Sequence, residues 1–437
     1  MKTFNSIILA AGKGVRMQSE VPKVLHNLCG QPVLDYILKT VRQCRAKAIY
    51  VVAGTHGDGI NKRFIDKDIK WVYQGKPRGT GHAVLAVKKA LAGSQLPLLV
   101  LYGDVPLITS EILNNLLATH ARNKEVACTV LTCLLEDPSG YGRVIKDQLG
   151  RIKGIIEDNA CDETQKNIKE INSGIYVFNP KSLFSLLKEV KPNPKSKEYY
   201  LTDVIALLAQ RGYNIQAFKA PDAQSCLGIN SREDLVLAEE IMQKRIKTRL
   251  LQSGVTIIDP ANTYIEADVK VGKDTVIQPF TMIRSGVTIG QSCEVGPFTQ
   301  LRVGTELANH AEVGNFTEVK KSRLGSYSKA KHLSYLGDTY IGAGVNIGAG
   351  TITANYDGKD KHKTVIADGA STGSGTVLVA PVKLGKRAVT GAGAVIMRGK
   401  NVPAGVTVIG IPAQPLTKRN TIRLTRRSKR KIKKRGN

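Results

Sequence analysis

The feature that most constrains this fold is an aliphatic residue at every sixth position between residues 265 and 319. The ten positions are Ile265, Val271, Ile277, Ile283, Ile289, Val295, Leu301, Leu307, Val313 and Val319. A six-residue period is typical of a parallel β-helix, in which each hexad forms one short flat strand and points its aliphatic side chain into a narrow core. We therefore predict a β-helix of hexapeptide repeats over residues 254–417.

The period fails at residues 320–340 and 354–365. Interruptions of a regular solenoid become loops on one side, where binding groups concentrate. We therefore predict loops at both places and look for chemistry there. The candidate side chains are Lys320, His332, Tyr335, Asn355 and Tyr356.

The residues before the repeat follow a different pattern. Up to about residue 230, short aliphatic runs alternate with segments of helical spacing, which predicts a mostly parallel sheet with helices on both faces. Ligands of such a sheet bind outside the carboxyl ends of the strands. Ser231 to Leu251 reads as one long helix with a possible N-terminal cap. The predicted organisation is an α/β domain at 1–230, a linker helix at 231–253, the β-helix at 254–417 and a tail at 418–437.

The tail contains eleven Lys and Arg residues and no acid, within a chain of net charge +28. We expect it to be disordered, with attraction to polyanions as the alternative. It lacks aromatic residues for base stacking, so we expect no nucleic-acid partner.

Targeting signals are weak in this sequence. No apolar run approaches the roughly 20 residues that span a bilayer, and the five apolar residues at 7–11 fall short of the roughly 7–15 of a secretory signal. Seven scattered cysteines read as buried thiols in a reducing compartment. We therefore predict a cytoplasmic protein with no membrane span.

A first chemical site is indicated by a glycine-rich turn after the first predicted strand. Gly12 and Gly14 allow close approach of a phosphate, and Lys13, Arg16 and Lys23 supply positive charge. By itself the pattern is weak evidence. A Rossmann fingerprint needs a third glycine where Met17 stands, and the Walker sequence is absent.

A carboxylate strengthens the case for this first site. Asp104 follows the apolar strand predicted at 98–101 and is well placed to hold Mg²⁺ together with substrate phosphates. A helix cap is the alternative role for such a residue.

Several motifs together resemble a known family. Leu-Ala-Ala-Gly-Lys-Gly-x-Arg-Met, Pro22-Lys23, Gly79-Thr-Gly-His82 and Tyr102-Gly-Asp104 occur in the order typical of sugar-phosphate nucleotidyltransferases. With the hexad domain attached, residues 3–412 resemble the bifunctional bacterial N-acetylglucosamine-1-phosphate uridyltransferase/glucosamine-1-phosphate N-acetyltransferase family. The resemblance implies that a left-handed β-helix follows the α/β domain.

The resemblance also implies roles for residues of the first domain. Asp104 and Asn230 would be the magnesium ligands, and Lys23 would face the phosphates. The residues implied in binding UTP or UDP-N-acetylglucosamine are Leu9, Ala10, Gly12, Lys23, Gln74, Gly79, Thr80, Tyr102, Gly103, Gly142, Glu157, Asn172 and Asn230.

The second site follows from chemistry and from the same resemblance. An amine sugar must lose a proton when it attacks a thioester, and a neutral histidine is a suitable base. A lone histidine is usually structural, but the motif around His332 matches the acetyltransferase half, which makes His332 the implied base. The implied sugar-phosphate ligands are Arg302, Lys320, Tyr335 and Asn346, and the implied acetyl-CoA contacts are Ala349, Asn355, Tyr356, Ser374 and Ala392.

By this resemblance the protein is a homotrimeric enzyme with acyl sites between subunits. It would acetylate glucosamine-1-phosphate with acetyl-CoA, and then convert N-acetylglucosamine-1-phosphate and UTP to UDP-N-acetylglucosamine and pyrophosphate for peptidoglycan and lipopolysaccharide synthesis. One alternative is a nucleotidyltransferase of single activity whose solenoid only oligomerises or regulates. The other is a polyanion-binding protein that uses the tail.

The chain departs from the family pattern in two places. Residues 254–302 are shorter than the usual first coils, which predicts a solenoid with fewer turns at its start. Gly410 stands where the family places an arginine for the CoA phosphates, and Lys386, Arg387 or the basic tail is the suggested substitute.

Overall fold

A computed structural model describes residues 3–12, 14–54 and 59–416. The chain divides into two compact units, 1–242 and 243–437, with the division inside the long helix that follows residue 231. Lys13 and the predicted tail at 418–437 lie outside the described residues. Each unit is considered by itself below.

The first unit is built from alternating strands and helices, followed by the long helix. Its strands are β1 (Asn5–Leu9), β2 (Asn27–Leu28), β3 (Gln31–Pro32), β4 (Ala48–Ala53), β5 (Ile69–Tyr73), β6 (Leu98–Tyr102), β7 (Val126–Leu134), β8 (Arg143–Lys146), β9 (Ile152–Ile156), β10 (Glu170–Phe178) and β11 (Asn214–Lys219). The helices are α1 (Val33–Gln43), α2 (Ile60–Arg63), α3 (Thr80–Val87), α4 (Ser110–Arg122), α5 (Glu163–Lys166), α6 (Pro180–Leu186), α7 (Thr202–Gln210) and α8 (Arg232–Gln252).

The main sheet of this unit has the strand order β11-β7-β10-β6-β1-β4-β5. Strands β6, β1, β4 and β5 run parallel, whereas β10 runs antiparallel to both β6 and β7. The central strands are buried because they are continuous aliphatic runs covered on both faces by two apolar clusters. The predicted mostly parallel sheet is confirmed, and its carboxyl edge is formed by the ends of β1 and β6.

The second unit winds its strands into three parallel sheets, called faces 1, 2 and 3. Face 1 contains β12 (Thr256–Ile257), β15 (Val276–Ile277), β18 (Glu294–Val295), β21 (Glu312–Asn315), β24 (Lys329–His332), β27 (Asn346–Ile347), β30 (Ser371–Thr372), β33 (Val389–Thr390), β35 (Thr407–Ile409) and the antiparallel β36 (Gln414–Pro415). Face 2 contains β13 (Tyr264–Ile265), β16 (Met282–Ile283), β19 (Gln300–Leu301), β22 (Glu318–Lys320), β25 (Tyr335–Gly337), β28 (Ile352–Ala354), β31 (Val377–Val379) and β34 (Val395–Ile396). Face 3 contains β14 (Lys270–Val271), β17 (Thr288–Ile289), β20 (Glu306–Leu307), β23 (Arg323–Leu324), β26 (Thr339–Ile341), β29 (Thr364–Ile366) and β32 (Val382–Leu384).

The hexad residues form the core of this unit. Ile265 pairs with Ile283 and Ile283 with Leu301, so one coil takes three hexads. The side chains of Ile265, Ile283 and Leu301 are fully buried. Buried hydroxyls join successive coils, as when Thr275 donates to the Gly290 carbonyl of the next coil (2.8 Å). The predicted left-handed β-helix of hexapeptide repeats is confirmed.

One of the two predicted interruptions is wrong. Residues 318–341 continue through strands β22 to β26 with no loop, because this coil is one residue short: Val319 pairs with Leu336. The phase of the period shifts there, while Leu324, Ala330 and Leu336 still point inward. The second prediction is confirmed, since a loop leaves the coil between β28 and β29.

No helix of the described residues is long and apolar enough to cross a membrane. All seven cysteines lie within the described residues, and six of them are buried.

Candidate active sites

A cavity of ≈ 600 Å³ opens at the carboxyl edge of the first unit's sheet. Its walls come from the ends of β1 and β6, the loop before α3, the loop before β8 and the segment before α8. The predicted residues that line it are Leu9, Ala10, Gly12, Lys23, Gln74, Gly79, Thr80, Tyr102, Asp104, Gly142, Glu157, Asn172 and Asn230. Gly103 is not in the lining; its N–H donates to the Leu9 carbonyl (2.8 Å) and holds the two strand ends together.

Three of these residues meet at one point. The ammonium of Lys23 forms an ion pair with Asp104 Oδ2 and donates to Asn230 Oδ1 (3.1 Å). The Asn230 N–H is in turn held by Asp234 Oδ2 (2.7 Å), and the Ile229 N–H by the Asp104 carbonyl (2.8 Å). A carboxylate oxygen and an amide oxygen therefore face one cation, which is the oxygen chemistry that Mg²⁺ prefers.

A second wall is shaped by a close approach of backbone. Gly79 has φ +99°, and a Cβ at this position would lie 2.5 Å from the Tyr199 carbonyl oxygen. The Thr80 hydroxyl accepts from the Leu201 N–H (2.9 Å). Gln74 is buried, and its amide nitrogen donates to the Gly79 carbonyl (3.0 Å) and lies 2.9 Å from His82 Nδ1. The Gln74 amide is therefore fixed in one orientation.

The opposite wall contains a carboxylate and an amide in fixed positions. Burial raises the pKa of Glu157, although the Thr202 hydroxyl donates to its Oε1 (2.9 Å) and opposes that shift. Asn172 donates from Nδ2 to the Tyr176 hydroxyl (2.7 Å) and accepts at Oδ1 from the Gly174 N–H (3.2 Å). Thr202 and Tyr176 were not among the predicted residues, because nothing in their local pattern shows which distant side chains they hold.

In the second unit, the residues that follow each face-1 strand stack into one corner, called corner 1–2. Successive coils join there through backbone bonds: the Leu333 N–H donates to Asn315, the Gly375 N–H to Ala349 and the Gly393 N–H to Ser374. His332, Ala349, Ser374 and Ala392 occupy equivalent places in successive coils. The structure thus brings the predicted base and three predicted acetyl-CoA residues onto a single line.

The side chains along corner 1–2 change in size at His332. On the N-terminal side Phe280, Phe298 and Phe316 stack with ring centroids 4.9 and 5.2 Å apart, and exposed Leu333 follows them. In the following coils Gly350 and Gly375 take the same place. The corner is therefore obstructed before His332 and open after it.

His332 itself is exposed at the end of β24, beside a groove of ≈ 350 Å³. Within the described residues, no hydrogen bond engages its imidazole. Both ring nitrogens are thus accessible to a substrate. The described lining of this groove contains none of the other predicted site residues.

The other predicted residues lie elsewhere on the coils. Arg302, Lys320 and Asn355 lie at the C-terminal ends of the face-2 strands β19, β22 and β28, at a corner called corner 2–3. Half-buried Tyr335 lies on face 2, and Asn346 begins a face-1 strand. One chain therefore divides the predicted acetyltransferase residues between two corners and two faces.

Corner 2–3 is strongly cationic. The charges of Lys361 and then Arg302 lower the pKa of Lys320, so these three side chains lie close enough to repel one another. Arg302 is also paired with Glu318 (2.6 Å). The sequence analysis missed Lys361, although it lies inside the predicted interruption at 354–365. Three clustered cations suit a phosphate group.

The structure also describes Gly410, the position expected to hold an arginine for the CoA phosphates, and two of its suggested substitutes. Gly410 lies at corner 1–2, one coil beyond Ala392, because Val408 pairs with Thr390. Lys386 and Arg387 are exposed but precede the face-1 strand β33, at the other edge of face 1. The third suggested substitute, the tail, lies outside the described residues.

Comparison with known proteins covers both units. Residues 6–156 match the MobA-like NTP transferase domain family. The chain is 41% identical over 442 residues to "Bifunctional protein GlmU" of Heliobacterium modesticaldum, covering 94% of this chain and 96% of that protein. It is 40% identical over 440 residues to the protein of the same name from Alkaliphilus metalliredigens, covering 93% and 95%. A third such protein, from Pelotomaculum thermopropionicum, is 42% identical over 411 residues, covering 86% and 90%.

Proposed function

The chain belongs to the family of bifunctional GlmU proteins, and from this premise we propose how its two units make UDP-N-acetylglucosamine in two steps. The β-helix transfers an acetyl group from acetyl-CoA to the amine of glucosamine-1-phosphate. The α/β unit then joins N-acetylglucosamine-1-phosphate to the uridylyl group of UTP and releases pyrophosphate. The product supplies cell-wall synthesis, including peptidoglycan and lipopolysaccharide.

The observation that carries the proposed uridylyl transfer is the meeting of Lys23, Asp104 and Asn230 inside the cavity. The sugar phosphate attacks the α-phosphorus of UTP, and positioning with charge neutralisation supplies most of the catalysis. Lys23 can move from Asp104 to the substrate phosphates. The fixed Gln74 amide, with its nitrogen already bonded, leaves Oε1 to accept from the uracil N–H, while Glu157 and Asn172 bind the sugar.

Asp104 and Asn230 fit a divalent cation, and we assign Mg²⁺ to them. Their oxygens already converge on one positive group, the Lys23 ammonium. Bound there, Mg²⁺ would neutralise the phosphates of UTP. The bond from the Asn230 backbone N–H to Asp234 Oδ2 fixes the backbone from which this side chain reaches the site.

In the proposed acetyl transfer, His332 acts as the general base for the attacking amine. The amine attacks the thioester carbonyl carbon, the C–N bond forms, the C–S bond breaks and the thiol leaves. No acyl-enzyme is needed, because Cys293, the only cysteine after residue 230, is buried. The open stretch of corner 1–2 beyond His332 accommodates acetyl-CoA against Ala349, Ser374 and Ala392, while Arg302 and Lys320 bind the sugar phosphate.

The homotrimer that we propose is supported by the way one chain divides these residues. Corner 1–2 supplies the base and the coenzyme groove, and corner 2–3 supplies the cations together with Asn355 and Tyr356. Packing corner 1–2 of one copy near corner 2–3 of the next would complete each site. A mixture of His332→Ala and Lys320→Ala chains, dissociated and reassembled, should therefore regain acetyl transfer in a protein with the mass of three chains.

We place the enzyme in the cytoplasm, since scattered and mostly buried cysteines suit a reducing compartment. The functional divisions we propose are 1–230 for uridylyl transfer, 231–253 as linker and 254–417 for acetyl transfer. The single-activity alternative is disfavoured, because the bifunctional relatives cover both units.

The proposed function is tested by two separate assays on one purified protein. Pyrophosphate release is measured with UTP, N-acetylglucosamine-1-phosphate and Mg²⁺, and thiol release with acetyl-CoA and glucosamine-1-phosphate. Both reactions are expected. Pyrophosphate release without thiol release would support the single-activity alternative and refute the role given to the β-helix.

A further inference from the structure

The loop between β28 and β29, residues 355–363, contains side-chain contacts that the proposed function does not use. We call it the 355–363 loop. It carries Asn355 and Tyr356, and it brings Lys361 to Lys320 at corner 2–3. Any device that fixes this loop therefore fixes groups placed above in the acetyl-transfer site.

Asp357 organises the loop from within. Its Oδ1 accepts from the backbone N–H groups of Lys359 (3.0 Å) and Asp360 (2.8 Å), and its own N–H donates to the Asp360 carbonyl (3.2 Å). These bonds close a tight turn. The backbone N–H of Asp360, with the His362 side chain next, holds the pKa of Asp357 well below its usual range, so its carboxyl is ionised.

The second oxygen of Asp357 ties the turn to a later coil. His362 Nε2 lies 2.6 Å from Asp357 Oδ2, and Arg398 Nη1 lies 3.1 Å from the same oxygen. A nitrogen and a carboxylate oxygen at 2.6 Å need a proton between them, so Nε2 donates. Arg398 lies just after β34, the last strand of face 2. The contact therefore links the loop to the coil that contains β34.

The loop needs such a tie because of its charge. Three lysines, Lys359, Lys361 and Lys363, outnumber the two aspartates of the loop, and the Lys361 charge lowers the pKa of Lys320 at corner 2–3. Repulsion between Lys361 and Lys320 therefore acts against this position of the loop when no phosphate is bound. An isolated surface ion pair contributes little, but here two donors converge on one oxygen of a side chain that also closes the turn.

We propose that Arg398 and His362, acting through Asp357, are positioning residues that hold the 355–363 loop in place for sugar-phosphate binding. This inference rests on the proposed acetyl transfer. Neither side chain needs to touch substrate. Their effect is to present Asn355, Tyr356 and Lys361 in one arrangement before the substrate arrives, which lowers the entropic cost of binding.

The test compares Arg398→Met with the matched control Lys400→Met, two residues along the same coil. Trypsin cleavage at Lys359, Lys361 and Lys363 is followed by mass spectrometry, and the KM for glucosamine-1-phosphate is measured beside that for acetyl-CoA. Arg398→Met should speed cleavage and raise the KM for glucosamine-1-phosphate about tenfold, the scale of one charge-assisted hydrogen bond. Arg398→Lys should restore part of the affinity, and Lys400→Met should change neither readout.

The outcomes separate the inference from the function beneath it. Unchanged cleavage and unchanged KM in Arg398→Met would overturn the positioning role. Faster cleavage with an unchanged KM would also overturn it. Arg398 would then hold the loop in the wild-type protein without any effect on sugar-phosphate binding. Absence of acetyl transfer in the wild-type protein would instead refute the proposed function, while the cleavage comparison would still report on the loop.

Discussion

Replacing Asp104 by alanine removes the one carboxylate that faces Lys23 in the first cavity. The Asp104 and Lys23 side chains are only 16% and 13% exposed, and among the described residues Lys23 keeps one neutral partner, Asn230 Oδ1 at 3.1 Å, when Asp104 is lost. Breaking a buried ion pair costs about 3–5 kcal/mol, and we take the lower end because both groups retain some solvent. The proposed magnesium ligand is lost in the same change.

That figure is a loss of folding stability, and the effect on activity is a separate quantity: deleting one preorganised electrostatic group from an active site typically lowers kcat by roughly 10²–10³-fold. We therefore expect Asp104→Ala to lower kcat/KM for pyrophosphate release by at least roughly a hundredfold. Thiol release from acetyl-CoA, measured on the same preparation, should be unchanged. Raising the Mg²⁺ concentration should recover part of the loss.

Asp35→Ala is the matched control, because Asp35 is also an ion-paired and mostly covered aspartate, held by Lys39 on α1. It should leave both reactions intact. Wild-type pyrophosphate release by Asp104→Ala would refute the role of this carboxylate. Equal loss of both reactions would show that the variant is misfolded, and the thermal unfolding curve checks this directly.

Three further predictions follow from named contacts. His332→Ala should lower thiol release by roughly 10²–10⁴-fold and leave pyrophosphate release unchanged; undiminished acetyl transfer would remove His332 from the role of base. Gly79→Ala places a Cβ 2.5 Å from the Tyr199 carbonyl oxygen at φ +99°, so the KM for UTP should rise and the unfolding free energy should fall by at least about 1 kcal/mol. Gly93→Ala, at φ +80° with open space around its Cβ, is the control that isolates the steric part. Burial raises the pKa of Glu157 above 4.5, the usual value for a glutamate. Between the pKa of the unfolded chain and that of the folded protein, only the folded protein holds the proton, so stability falls as pH rises through this range. Glu157→Gln should remove this fall, unfold at a higher temperature than the wild type at neutral pH, and weaken N-acetylglucosamine-1-phosphate binding; an unchanged pH dependence of unfolding would contradict the assignment.

The β-helix was predictable because its signal is local and repeated. Each aliphatic hexad position specifies one inward side chain, and ten in succession define the coil. The error at 320–340 has the same origin: a strict period of six treats a coil shortened by one residue as a break, although Leu324 and Leu336 still fill the core.

The first site was predictable only in part. The carboxyl ends of β1 and β6 follow from the alternating pattern, which places Gly12 and Asp104 at one edge. Asn230 and Glu157 came from resemblance, because no local pattern tells where a residue more than a hundred positions from Gly12 will lie. Strand direction was equally hidden, since β10 is as deeply buried as the parallel strands β6, β1 and β4 although it runs the other way.

The contact between Asp357 and Arg398 shows the same limit. The two residues belong to different coils, and each by itself looks like an ordinary exposed charge. Only the inserted loop brings them together, and the way an insertion folds back is set by tertiary contacts that the hexad pattern does not contain.

The most direct test of two independent centres in one chain is to mix two variants that are each inactive overall. Asp104→Ala and His332→Ala are assayed for UDP-N-acetylglucosamine formed from glucosamine-1-phosphate, acetyl-CoA and UTP, first alone and then together. We predict almost no product from either variant alone and restored synthesis from the mixture, as the acetylated sugar phosphate diffuses from one protein to the other. Failure of the mixture, with both variants folded, would contradict the assignment of one reaction to each unit.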